Sequence, residues 1–138
     1  MIQIVKDNIV GMDVDAIVNA ANIFLRRGGG LSGAIFKGAG RELRRHCRKI
    51  GLVTPGESVI TPGFKLKAKY IIHTVAPIFG DTGEDSQQVL ENCYRNSFLL
   101  AKENGLKSIA FPCIGTGHYS FPLEKACRIV KTGVCSPS

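Results

Sequence analysis

The sequence predicts an α/β fold in which a sheet is covered by helices on both faces. Short apolar runs rich in β-branched residues alternate with helical patterns along the chain. Two of those runs, residues 16–19 and 108–112, are each followed by a glycine loop and then by a helical pattern. No internal repeat, long linker or low-complexity tract interrupts the alternation. With 138 residues, 44% of them hydrophobic, the chain can bury one sizeable core, and a single domain over residues 1–138 is expected.

The elements follow in order. Ile2, Ile4 and Val5 make a brief first strand, and Gly11 to Asp15 a turn that Asp13 or Asp15 ends. Residues 16–19 make the second strand. Leu31, Ile35, Ala39, Leu43, Cys47 and Ile50 then recur near helical spacing, with Arg41, Arg44, Arg45 and Arg48 on the opposite face. One amphipathic helix ended by Gly51 is expected there. Thr54-Pro55-Gly56 and Thr61-Pro62-Gly63 bracket a short strand over 58–61, and YIIHTV over 70–75 reads as a central strand stopped by Pro77. Asp85, with Gln88 three residues on, is expected to cap the next helix. Leu90, Cys93, Tyr94, Phe98 and Ala101 share a face of that helix, and Asn104-Gly105 ends it. Pro122 opens a last helix, with Leu123, Ala126, Cys127 and Val130 inward.

Composition narrows the chemistry. No run of about 18 apolar residues occurs, and the charged, short N-terminus does not suit a signal peptide, so a soluble cytoplasmic protein without membrane contact is expected. The five cysteines are odd in number and form no CxxC pair; they read as small core residues in a reducing compartment, with no metal site. The formal charge of +7 suits an anionic partner. Gly28, Gly29 and Gly30, and Gly115 with Gly117, let backbone approach a ligand and aim several N–H groups at one anion. Both loops would leave the same carboxyl edge of the sheet and close on one diphosphate. Neither fits GxxxxGK[ST], and neither reads GxGxxG with an acid about 20 residues on, which disfavours a Walker-type hydrolase and a dinucleotide oxidoreductase. An RNA-binding surface on Arg41, Arg44, Arg45, Arg48 and Lys49 is disfavoured because few aromatics are free to stack bases.

Val18-Asn19-Ala20-Ala21-Asn22, the three glycines with Gly33-Ala34-Ile35, the run from Tyr70 to Pro77, and the segment from Ser108 to Pro122 together resemble the macrodomain family in order and spacing. The resemblance implies a three-layer α/β/α sandwich with a mixed sheet that binds ADP-ribose, or an ADP-ribosylated protein, without a cofactor. It further implies that Asp7 accepts the adenine amino group, with Ile9 beside it, and that Asn22 binds the distal ribose. Gly28, Gly29, Gly30, Leu31 and Ser32 would surround that sugar and the diphosphate. Gly115, Thr116, Gly117, His118 and Tyr119 are similar to the family's second phosphate clamp. Asn19 is expected to tie the strand end to backbone, and His73 to be a satisfied core histidine.

The sequence also departs from the family. Ser32 stands where hydrolases of the MacroD type carry an aspartate thought to position water, and serine is no general base at neutral pH without a partner. His118 replaces an aliphatic residue and has an intrinsic pKa suited to proton transfer. Arg26-Arg27 precede the glycines and place two cations at the rim. After Lys131 the family's last strand and helix do not follow, so weaker adenine binding and a homodimer through the uncovered sheet are expected. The resemblance leaves two readings: an enzyme of the Appr-1-p-processing class, with Asn22 and His118 as catalytic candidates, or a module that binds ADP-ribose without turnover. The enzyme would remove ADP-ribose from proteins, deacetylate O-acetyl-ADP-ribose or act on ADP-ribose 1″-phosphate.

Overall fold

The computed structural model describes residues 2–4, 9–76 and 84–112. Five strands and three helices occur among them: β1 (Ile2–Ile4), β2 (Ala16–Ala21), α1 (Gly30–Ala39), α2 (Arg41–Ile50), β3 (Ser58–Pro62), β4 (Tyr70–Val75), α3 (Glu84–Glu103) and β5 (Ile109–Phe111). The sheet order is β1-β5-β2-β4-β3. β1, β5, β2 and β4 run parallel, and β3 is antiparallel to β4, which makes the sheet mixed.

Alternation along the strands separates two cores. Ile17, Ala21, Ile71, Val75 and Ala110 pack with Ile35, Phe36, Ala39, Leu43 and Cys47 of α1 and α2. Ala16, Val18, Ile72, Ile109 and Phe111 pack with Leu90, Tyr94 and Ala101 of α3. Helices therefore cover both faces, giving the α/β/α arrangement. Asp15 joins β2 to β5 from below: its carboxylate accepts the backbone N–H groups of Lys107 (2.7 Å) and Ser108 (3.2 Å). Those bonds, the Lys107 amide foremost, hold its pKa below the ordinary value despite some desolvation.

Two expectations about elements are corrected. The single helix expected up to Gly51 is two, because Gly40 adopts φ 92° and ψ −175°, a conformation outside the helical range that a residue with a Cβ rarely takes. Gly51 ends α2 as expected, with φ 83° and its N–H on the Cys47 carbonyl. α3 begins at Glu84, so Asp85 lies within its first turn and does not precede it. The helix expected from Pro122 lies outside the described residues, as do Val5 and the start of the polar loop at Asp81. No helix among the described residues is long and apolar enough to cross a membrane.

Candidate functional site

β2, β4 and β5 lie side by side and parallel, so their carboxyl ends share one edge of the sheet, and the chain leaves β2 there through Asn22. The side chain of Asn22 folds its own loop. Its Oδ1 accepts the N–H groups of Phe24 (3.1 Å) and Arg26 (3.0 Å), and its Nδ2 donates to the Arg26 carbonyl (2.9 Å). Leu25, between them, takes the left-handed conformation with φ 52° although it has a side chain, and is buried. Such a residue costs on the order of 1–3 kcal/mol, and the three Asn22 bonds hold it there. A backbone bond from Val53 N–H to the Ile23 carbonyl (2.9 Å) pins the same loop to the segment after α2.

The loop then delivers the start of α1. Gly29 is the residue before the helix, makes no side-chain cap, and no acid stands in the first turn. The first intrahelical bond runs from Gly33 N–H to the Gly29 carbonyl (3.4 Å), so helix geometry leaves the amides of Gly30, Leu31 and Ser32 without a partner inside the helix. Three amides and the positive end of the helix dipole, with no carboxylate nearby in the turn, suit a phosphate. Gly33 is required for the approach: a Cβ there would stand 2.7 Å from the Gly28 carbonyl oxygen. Ser32 is nearly buried, and its Oγ accepts the Gly28 N–H at 3.3 Å. It therefore braces the glycine loop from behind. Leu31 is half-buried against the α1–α2 core.

Asn22 has donor capacity left over. Both acceptor positions of Oδ1 and one N–H of Nδ2 are used in the loop, which leaves a single N–H for a ligand oxygen. It can offer a hydroxyl or a water one donated hydrogen bond and no acceptor.

Beneath the site a polar row crosses three strands. Asn19 and His73 are register partners on β2 and β4. Asn19 Nδ2 lies 3.0 Å from His73 Nδ1, and His73 Nε2 lies 3.0 Å from Thr61 Oγ1, which donates to the Pro62 carbonyl. The bonds fit one neutral tautomer, with the proton on Nε2. Burial pushes His73 down to about 4, with a smaller contribution from His46. His73 is the satisfied core histidine expected. Asn19 is corrected: it meets the imidazole, because the strand amides beside it are committed to the ladder, and its buried Oδ1 has no hydrogen-bond partner among the described residues. Thr61 as the second partner of His73 has no signature in the sequence, since it lies on the far strand of the hairpin.

The other expected residues are placed as follows. Ile9 is fully buried in the α1–α2 core with Ile17 and Leu43. Asp7, Gly115, Thr116, Gly117, His118 and Tyr119 lie outside the described residues. Cys47 and Cys93 are buried free thiols, and burial raises the pKa of each, Cys47 to about 11, so neither is a nucleophile near neutrality. No group of three or more His, Cys, Asp or Glu residues that could hold a metal occurs among the described residues.

Comparison with known proteins places this architecture. The family model described as Macro domain matches residues 18–130. The chain is 45% identical over 134 residues to the Macro domain-containing protein CT2219 of Chlorobaculum tepidum, covering 97% of this chain and 78% of that one. It is 46% identical over 130 residues to the ADP-ribose glycohydrolase MACROD2 of Xenopus laevis, covering 94% of this chain and 31% of that larger protein. Among solved structures, the macrodomain of Oceanobacillus iheyensis with ADP superposes with a TM-score of 0.81 at 41% identity, covering 94% of this chain and 72% of that one.

Proposed function

The chain belongs to the Macro domain family, and from that premise we propose that it binds ADP-ribose or a derivative and hydrolyses a bond at the distal ribose. The observation that carries the reading is the start of α1, without a side-chain cap, at the end of the loop that Asn22 folds: amides with no partner inside the helix for a phosphate, and one spare N–H for a sugar hydroxyl or an attacking water. Relatives support it, one named an ADP-ribose glycohydrolase and one solved with ADP. Asn22 stands at the distal ribose, the glycine loop surrounds the sugar and diphosphate with Ser32 bracing it from behind, and Asp7 takes the adenine; Ile9, expected beside it, has no exposed surface to offer a ligand. Gly115, Thr116, Gly117, His118 and Tyr119 close the second side. Water held between the ligand phosphate and Asn22 adds to the anomeric carbon or to the ester carbonyl carbon, the bond to the acceptor oxygen breaks, and His118 passes the proton given up by the water to that departing oxygen.

The second reading is a binding module without turnover, and Ser32 favours it: its hydroxyl already accepts the Gly28 N–H, and no carboxylate stands at that position to orient water. On either reading the protein acts in the cytoplasm on ADP-ribose or ADP-ribosylated proteins, the enzymatic one within Appr-1-p processing.

Calorimetric titration with ADP-ribose tests the binding. Turnover of a mono-ADP-ribosylated protein and of O-acetyl-ADP-ribose, with wild type, Asn22→Ala and His118→Ala, tests the chemistry. Binding with no turnover of either substrate assigns the module; turnover indifferent to both substitutions removes Asn22 and His118 as the catalytic pair.

A further inference from the structure

The loop that carries Asn22 has a second side. Phe24, Leu25, Arg26 and Arg27 form one wall of a cleft whose other wall is Arg44, Cys47 and Arg48 of α2 with Gly51 and Leu52 just after it; its volume is about 630 Å³. That lies within the range of small-molecule sites. The cleft is strongly cationic. Four guanidiniums line it, and among the described residues none of the four is in an ion pair. The acid nearest in sequence, Glu42, pairs with Arg45 at 3.6 Å instead. An ordinary solvated helix face would intersperse acids one turn away, and RELRRHCRKI contains only this one.

The rest of the lining is apolar. Leu25 and Cys47 are buried, while Phe24 and Leu52 stand exposed at the mouth, Phe24 by 53%. The Arg26 guanidinium lies 5.4 Å from the centroid of the Phe24 ring. Arg44 and Arg48 are one turn apart on α2 and therefore on one side of it. Each guanidinium can grip a phosphate with two parallel hydrogen bonds, and an aromatic ring beside an arginine offers a surface for a flat base.

We propose that this cleft is a second ligand site, separate from the one at the start of α1, and that it takes a nucleoside diphosphate, with the phosphates on Arg26, Arg27, Arg44 and Arg48 and the base on Phe24. The diphosphate offsets most of the charge of the four guanidiniums that find no ion pair among the described residues. The base covers the exposed ring. The site does not depend on the ADP-ribose reading, because its lining includes neither Asn22 nor any of the amides that open α1.

GDP is the probe, titrated into the full chain by calorimetry with and without saturating ADP-ribose, with inorganic pyrophosphate as the base-free arm. Expected is GDP binding that persists under saturating ADP-ribose and weakens about tenfold or more in Arg44→Gln/Arg48→Gln. That double variant should melt like the wild type, since both side chains are exposed, and should keep its ADP-ribose affinity. Phe24→Ala should weaken GDP and leave pyrophosphate unchanged. Loss of GDP binding when ADP-ribose is present, indifference to the double substitution, or no binding at millimolar GDP overturns the proposal. If ADP-ribose itself fails to bind, the GDP titration still reads out alone, so the two readings fail separately.

Discussion

His73 couples stability to pH more directly than any other described residue. Its unfolded imidazole takes up a proton below about pH 6.5, while the buried ring resists protonation until about pH 4. Stability is therefore full above pH 6.5 and falls as pH drops toward 4, by on the order of 3 kcal/mol in total. Urea midpoints measured at pH 7 and pH 5 should show the loss, and His73→Gln should flatten the slope between them. Asp15, whose pKa is lowered, adds its own loss in a separate and more acid window, as its carboxylate is protonated and releases the Lys107 amide. Asn22 calls for a different test. Asn22→Ala removes three loop bonds as well as the ligand donor, so it should cost about 1–2 kcal/mol of stability in addition to weakening ADP-ribose. Thermal melts without ligand separate the two effects. The family resemblance drew attention to this residue, but a side chain's type cannot show that its acceptor oxygen is already spent on Phe24 and Arg26; only the folded loop shows it.

Among the elements, β4 was legible to the residue, because six mostly apolar, β-branched positions stand between a turn and a proline. The break at Gly40 was not, since the apolar positions Ile35, Ala39, Leu43 and Cys47 keep a four-residue spacing straight through it and all face the same core. The available signal was the pair Gly38 and Gly40, weak evidence in a chain with 16 glycines. Close packing makes two other glycines decisive. Gly33→Ala should push the Gly28 carbonyl away from α1, costing about 1–3 kcal/mol and lowering ADP-ribose affinity about tenfold or more in calorimetry. Gly63→Ala would drive its Cβ into the Ala68 carbonyl, a backbone group that no side-chain movement clears, and should unsettle the β3–β4 hairpin without touching the ligand loop. A lowered melting temperature with undiminished ligand affinity per folded molecule is the outcome expected of that variant.

For the molecule as a whole, the alternation of elements was enough to read helices on both faces, because period-two burial in the strands demands two separate cores. What the sequence could not supply was neighbourhood. Arg26-Arg27 and the arginines of α2 were each visible as charge, yet that they face one another across a cleft follows from packing of segments some twenty residues apart. The net charge of +7 acts at this scale too. Association with ADP-ribose should slow several-fold between low and high salt while dissociation changes little, which stopped-flow mixing would measure.

β2 lies inside the sheet, bonded to β5 on one side and β4 on the other. Its amides are shared between the two neighbours, so the whole strand exchanges with deuterium only when both separate, which for a central strand approaches complete unfolding. The phosphate seat thus hangs from the part of the protein that opens least, and warming should leave it intact until the chain itself melts. No temperature should exist at which the fold persists and the seat has gone.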